Sequence, residues 1–125
     1  MSVTIYHNPR CSKSRQTLEL LEEKAVAPSI VEYLNTPPDA QTLKEIISML
    51  GIKAKQLLRT HEDEFKQAGL DTQGLTNDQF SEDQIIDAMI KFPKLIERPI
   101  VVSDGKAVIG RPPSLVLEIL KPGNS

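Results

Sequence analysis

The residues able to do chemistry crowd into one stretch near the start of the chain, His7-Asn8-Pro9-Arg10-Cys11-Ser12-Lys13-Ser14-Arg15. Cys11 is the only cysteine in 125 residues, which excludes an internal disulfide and a multi-cysteine zinc site. A cysteine at a helix N-terminus meets free amide N–H groups and the positive end of the helix dipole, and both favour thiolate over thiol. The same amides bind oxyanions. The first 18 residues carry Arg10, Lys13 and Arg15 and no Asp or Glu, although the whole chain has net charge −2. A small cationic spot on an acidic protein points to a local anion site rather than a broad basic face. Cys11 is therefore the candidate nucleophile, with Asn8, Arg10, Ser12, Lys13 and Arg15 as the candidate anion loop. His7 and the loop cations push Cys11 further toward ionisation where their side chains face it. Ser14, one turn along from Cys11, is placed to hydrogen-bond the thiolate or its anion.

Cys11-Ser12-Lys13-Ser14 occupies the place of a Cys-x-x-Cys motif with serine as its second member. With no resolving cysteine in the chain, a redox cycle through Cys11 needs external thiols, either a small one such as glutathione or a partner protein. A tyrosine-phosphatase-like loop requires arginine six residues after its cysteine; here that residue is Thr17, and this chemistry is discarded.

The flanking pattern supplies the elements that position the loop. Val3-Thr4-Ile5-Tyr6 reads as a strand ended by Asn8-Pro9. Ser14, Leu18, Leu21 and Ala25 recur at helical spacing, so a helix starts just after Cys11 and runs to about Lys24. Ser29–Leu34 reads as a second strand, which completes a βαβ unit with a parallel pair. Thr36-Pro37-Pro38-Asp39 is a helix entry with Thr36 as cap, followed by Leu43, Ile46, Ile47 and Leu50 and a stop at Gly51. Shorter helices are expected at Ala54–Arg59 and Glu62–Ala68, and Ser81-Glu82-Asp83-Gln84 opens another. Asp104-Gly105 between Pro99–Ser103 and Lys106–Gly110 marks a hairpin. Pro112-Pro113 begin a last helix, and residues 121–125 read as a frayed end. The expected fold is α/β: a four-stranded mixed sheet flanked by helices, in a single domain spanning residues 1–125, with a helical insertion over about 36–92.

Composition narrows the function. An ordinary globular balance, 39% hydrophobic and 26% charged, with a pI near 5.7, argues against nucleic-acid binding, as do five Phe and Tyr residues without Trp. No apolar run approaches the roughly 18 residues of a membrane span, and the first residues lack the features of a secretory signal. The expectation is a soluble cytoplasmic monomer.

The loop His7–Arg15 resembles the His-Asn-Pro-x-Cys-x-x-Ser-Arg loop of the glutaredoxin-linked arsenate reductase family, the ArsC type. The resemblance continues through Tyr33-Leu34-Asn35-Thr36-Pro37-Pro38, Leu57-Leu58-Arg59, Arg98-Pro99-Ile100-Val101-Val102 and Gly110-Arg111-Pro112. It implies a thioredoxin-like fold with a helical insertion, no bound cofactor, and arsenate, glutathione and glutaredoxin as partners. It implies that Cys11 attacks arsenic, that glutathione joins there, and that glutaredoxin reduces the mixed species so that arsenite leaves. His7 matches the residue that assists thiolate formation; Arg59, Arg98 and Arg111 match the arginines that hold the oxyanion; Arg98-Pro99 matches the cis-proline peptide facing the loop. The alternatives are a glutathione-dependent thiol reductase of another substrate and a transcription regulator of the related Spx type, which binds RNA polymerase. Spx-type chains carry Cys-x-x-Cys, so Ser14 and the retained Arg111 block disfavour the regulator.

Overall fold

A computed structural model describes residues 2–120. Four strands, β1 (Val3–Tyr6), β2 (Ser29–Val31), β3 (Ile100–Ser103) and β4 (Lys106–Ile109), form one sheet in the order β2-β1-β3-β4. β1 runs parallel to β2 and antiparallel to β3, and β3 and β4 form the hairpin, so the sheet is mixed as the sequence pattern requires. The chain falls into two compact units. One contains the residues up to Thr36 together with those from Arg98 onward; the other is Pro37–Glu97, reaching five residues past the expected end of the insertion at 92.

In the first unit, period-two alternation buries Val3 and Ile5 on one face of β1. Helix α1 (Ser12–Glu23) buries Ser14, Thr17 and Leu21, and the core gathers Leu21, Val3, Ile5, Val101 and Val116. Ala25, expected on the buried stripe, is exposed and lies past the helix with φ 59°. The reason is a closing motif in which Val26 N–H returns to Leu21 O (3.0 Å) and Ala25 N–H to Glu22 O (3.0 Å). β2 is shorter than expected, ending at Val31, because Asn35 and Thr36 both donate to Glu32 O at 3.0 Å and turn the chain. Asp104 (φ 50°) and Gly105 (φ 80°) supply the two positive angles of a tight hairpin turn. After β4, a 3-10 turn (Pro113–Val116) leads into a short helix, Leu117–Leu120; the end read as frayed, residues 121–125, lies outside the described residues.

The second unit holds α2 (Ala40–Leu50), α3 (Ala54–Leu57), α4 (Asp63–Gln67), α5 (Thr72–Thr76), α6 (Glu82–Lys91) and a 3-10 turn at Pro93–Leu95. α2 and α3 pack on α6, burying Leu43, Ile46, Ile47, Leu57, Ile85, Ile86 and Met89. The cap of α2 is Asp39 rather than Thr36, because its carboxylate accepts the Thr42 N–H at 2.8 Å. Ser81 and Gln84 form the expected reciprocal capping box of α6. α5 was not expected from the sequence. Asp71 caps it, and Gly74 sits so close to Phe80 that a Cβ there would lie 2.5 Å from the ring.

α3 stops at Leu57, short of the expected Arg59. Leu58 turns extended and bridges Ile96, while Arg59 N–H donates to Leu95 O (2.7 Å) and Glu97 N–H to Leu57 O (2.8 Å). Among the described residues, no helix is long and apolar enough to cross a membrane.

Candidate active site

The loop after β1 is held by its own backbone. His7 N–H extends the sheet pattern to Val31 O (2.8 Å), and the Asn8 side chain accepts the Arg10 N–H (3.0 Å) in a local turn. Asn8 O then accepts the Cys11 N–H (3.0 Å), and Cys11 O accepts the first helical bond from Arg15 N–H (3.0 Å). Cys11 is thus the N-cap of α1, in extended conformation (φ −94°, ψ 124°). The residue capping the helix is the one expected to react.

Two arginines from the far end of the chain complete the surroundings of the sulfur. Arg98 precedes Pro99 at the entry to β3, and Arg111 follows β4; the Arg98–Pro99 and Arg111–Pro112 bonds are both cis. Arg111 Nη2 lies 3.7 Å from Cys11 Sγ, and its Nε donates to Arg98 O at 2.8 Å. Cys11 is 9% exposed. Burial pushes its pKa up, but the Ser14 N–H, the Arg98 guanidinium and the Lys13 N–H together outweigh this and hold it below the ordinary thiol range. The arrangement presents an ionisable nucleophile beside fixed donors suited to a tetrahedral anion.

Other expected residues take different stations. The Ser14 side chain is fully buried, bonded to His7 Nδ1 (2.6 Å) and accepting the Asn8 N–H (3.0 Å). It is the backbone of Ser14 that serves the thiolate. Burial lowers the His7 pKa, Glu32 opposes this and Arg15 adds to it, so the neutral ring is favoured beside the loop. The side chains of Arg10, Ser12, Lys13 and Arg15 are exposed, and Arg15 Nη1 donates to Pro9 O (3.0 Å). The loop's own cations therefore matter less to the thiol than the distant Arg98 does. Arg59 lies in the Pro37–Glu97 unit, held by Glu97 (2.6 Å) and Glu62 (3.3 Å).

Two residues of this surrounding, Thr17 and Gly110, carry no role that the sequence reveals. Thr17 is fully buried in α1, and Gly110 approaches it closely just before Arg111. Their contact spans 93 residues of sequence, so no local pattern announces it. The only local signal is a glycine at a strand end with no need for a positive φ.

A β-α-β unit and a later β-hairpin and helix, with a cysteine capping the first helix, define a thioredoxin-like fold. The chain belongs to the ArsC family, whose match covers residues 6–119. It is 54% identical over 119 residues to the uncharacterized protein YfgD of Escherichia coli K12, covering 94% of this chain and 96% of that one. It is 47% identical over 111 residues to arsenate reductase of Neisseria meningitidis, covering 88% and 91% of the two chains. The solved arsenate reductase of Vibrio cholerae superposes with a TM-score of 0.86 at 48% identity, over 95% of this chain and 98% of that one.

Proposed function

We propose that this protein reduces arsenate to arsenite through a Cys11 adduct, with glutathione and glutaredoxin as electron donors. The observation that carries the reading is the sulfur at the N-cap of α1 with Arg111 Nη2 at 3.7 Å. Arsenate, like phosphate, carries about −1.5 to −2 charge near pH 7. It repels a thiolate until fixed guanidiniums and helix amides offset both charges.

The Cys11 thiolate attacks arsenic, forming a sulfur–arsenic bond while one oxygen leaves as water after protonation. The glutathione thiol replaces a second oxygen, again lost as water. A glutaredoxin thiolate then attacks the glutathione sulfur. The arsenic–glutathione bond breaks and its electron pair stays on arsenic, which passes from the pentavalent to the trivalent state, leaving a glutaredoxin–glutathione disulfide. Water finally displaces Cys11, releasing arsenite and restoring the thiolate. Arg98 and Arg111 stabilise the anionic oxygens through these steps, and the Ser14 and Lys13 amides stabilise the departing thiolate. The part of Arg59 at the oxyanion rests on the family resemblance. The need for reduced glutathione makes the cytoplasm the proposed compartment, and a monomer the proposed working form.

A coupled assay with NADPH, glutathione reductase, glutathione, glutaredoxin and arsenate tests the reading. Arsenate-dependent NADPH oxidation is expected, and its loss in Cys11→Ser. Absence of arsenate-dependent turnover in the unaltered protein, with a Cys11–glutathione adduct forming readily without arsenate, would replace it by a thiol reductase of another substrate.

A further inference from the structure

Cys11 and Arg111 are separated by 100 residues, and a definite piece of the fold must set the distance between α1 and the corner after β4. We propose that Thr17 and Gly110 form a strut that holds the Arg111 guanidinium at the Cys11 sulfur, with Thr17 a positioning residue; the inference rests on Cys11 being the reacting thiol. Thr17 has no exposed surface. Its Oγ1 lies 2.8 Å from Lys13 O, one turn back along α1, and 3.4 Å from Gly110 O. Its single hydroxyl hydrogen is shared between two carbonyls, one on the helix turn beside the sulfur and one on the Arg111 corner.

Gly110 is the other half of the strut. A Cβ built there would sit 2.6 Å from Thr17 Oγ1, 3.1 Å from Thr17 Cγ2 and 3.0 Å from Pro99 Cγ. Its φ is not among the positive ones, so glycine is required here for close approach rather than for backbone conformation. Gly110 N–H donates to Pro99 O (2.9 Å), Arg111 N–H to Ile109 O (2.9 Å), and Arg111 Nε to Arg98 O (2.8 Å). Backbone and guanidinium are thereby fixed on one side, and Thr17 sets the spacing on the other. A methyl group at position 110 meets a buried helix residue and a proline ring, so the corner must move outward. At 3.7 Å the contact of Arg111 with sulfur is already long, and an outward displacement of the corner weakens it further.

The test compares Thr17→Val, Thr17→Ser and Gly110→Ala with Arg111→Ala by following the rate of Cys11 alkylation across pH, without arsenate or glutathione. Thr17→Val and Gly110→Ala should shift the profile upward in pH, in the direction of Arg111→Ala. At pH below the thiol pKa, alkylation should slow about two- to four-fold. Thr17→Ser should match the unaltered protein, and Thr17→Val should add nothing in an Arg111→Ala background. A Thr17→Val profile that superimposes on wild type, or that shifts equally with Arg111 already removed, overturns the strut. If Gly110→Ala fails to fold, the two Thr17 variants decide alone. Shifted profiles in a protein that does not turn over arsenate support the strut and remove arsenate; turnover with unshifted profiles does the reverse.

Discussion

Removing the Arg98 side chain should make Cys11 a slower nucleophile in acid and a faster one in alkali. The guanidinium hydrogen-bonds the sulfur and adds its charge, while the Ser14 and Lys13 amides stay in place. A hydrogen bond to a charged group contributes about 1.5–3 kcal/mol. Arg98 is partly exposed, and solvent screening brings this to about 1.4 kcal/mol, about a ten-fold change in the ionisation equilibrium toward the thiol in Arg98→Ala. Nucleophilicity rises with basicity at a slope of about 0.4–0.5, so the two effects oppose each other. Below both pKa values the ionised fraction falls about ten-fold while each thiolate gains about three-fold, for a net slowing of roughly three- to four-fold. Above both, only the gain remains, and the variant alkylates about three-fold faster. Iodoacetamide rates across pH, read by mass spectrometry of the Cys11 peptide, should therefore cross. Superimposed curves would refute the reasoning. So would a uniform change at every pH, which would mean altered access to the sulfur instead of altered ionisation.

Ser14→Ala should lower stability by about 2–4 kcal/mol in urea unfolding, because the Asn8 N–H and His7 Nδ1 lose a shared buried partner; a loss under about 1 kcal/mol would show that water replaces the hydroxyl. His7 sets a pH dependence of its own. Burial holds it below 6.5, with Glu32 opposing and Arg15 assisting, so the folded chain refuses a proton that the unfolded chain accepts near that pH. Its stability contribution is complete above 6.5 and declines as pH falls from there through the folded value. Urea midpoints on either side of 6.5 should fall more steeply in the unaltered protein than in His7→Gln, and equal slopes would remove His7 as the cause. Leu21→Ala, at a position with no exposed surface in the sheet-and-helix core, should cost about 2–5 kcal/mol; a cost below about 1 kcal/mol would mean that the core collapses around the gap.

What could be read directly from the residues was local. The strand, loop and helix around Cys11, the Asp104-Gly105 hairpin and the Ser81–Gln84 box each depend on neighbours a few positions apart, and each formed as expected. The departures arose where partners come from elsewhere. Leu58 leaves its helix because Ile96 offers a bridge, which takes Arg59 off the expected helical face. α5 forms around a glycine that the ring of Phe80 demands, against its weak helical preference. At the site, residue identities alone could not settle the ionisation of His7. Its burial lowers its pKa and favours the neutral ring, whereas its place among the loop cations pointed to a charged one.

The 100-residue separation of Cys11 from Arg111 also orders events in time. Translation at about 5–20 residues per second delivers the sulfur roughly 5–20 s before its last guanidinium neighbour. For most of that interval the nascent chain carries a thiol without Arg98 or Arg111, more fully protonated and correspondingly less prone to adventitious oxidation. Full reactivity arrives only when the hairpin closes beside the first strand, so a truncated product bearing Cys11 is born comparatively inert.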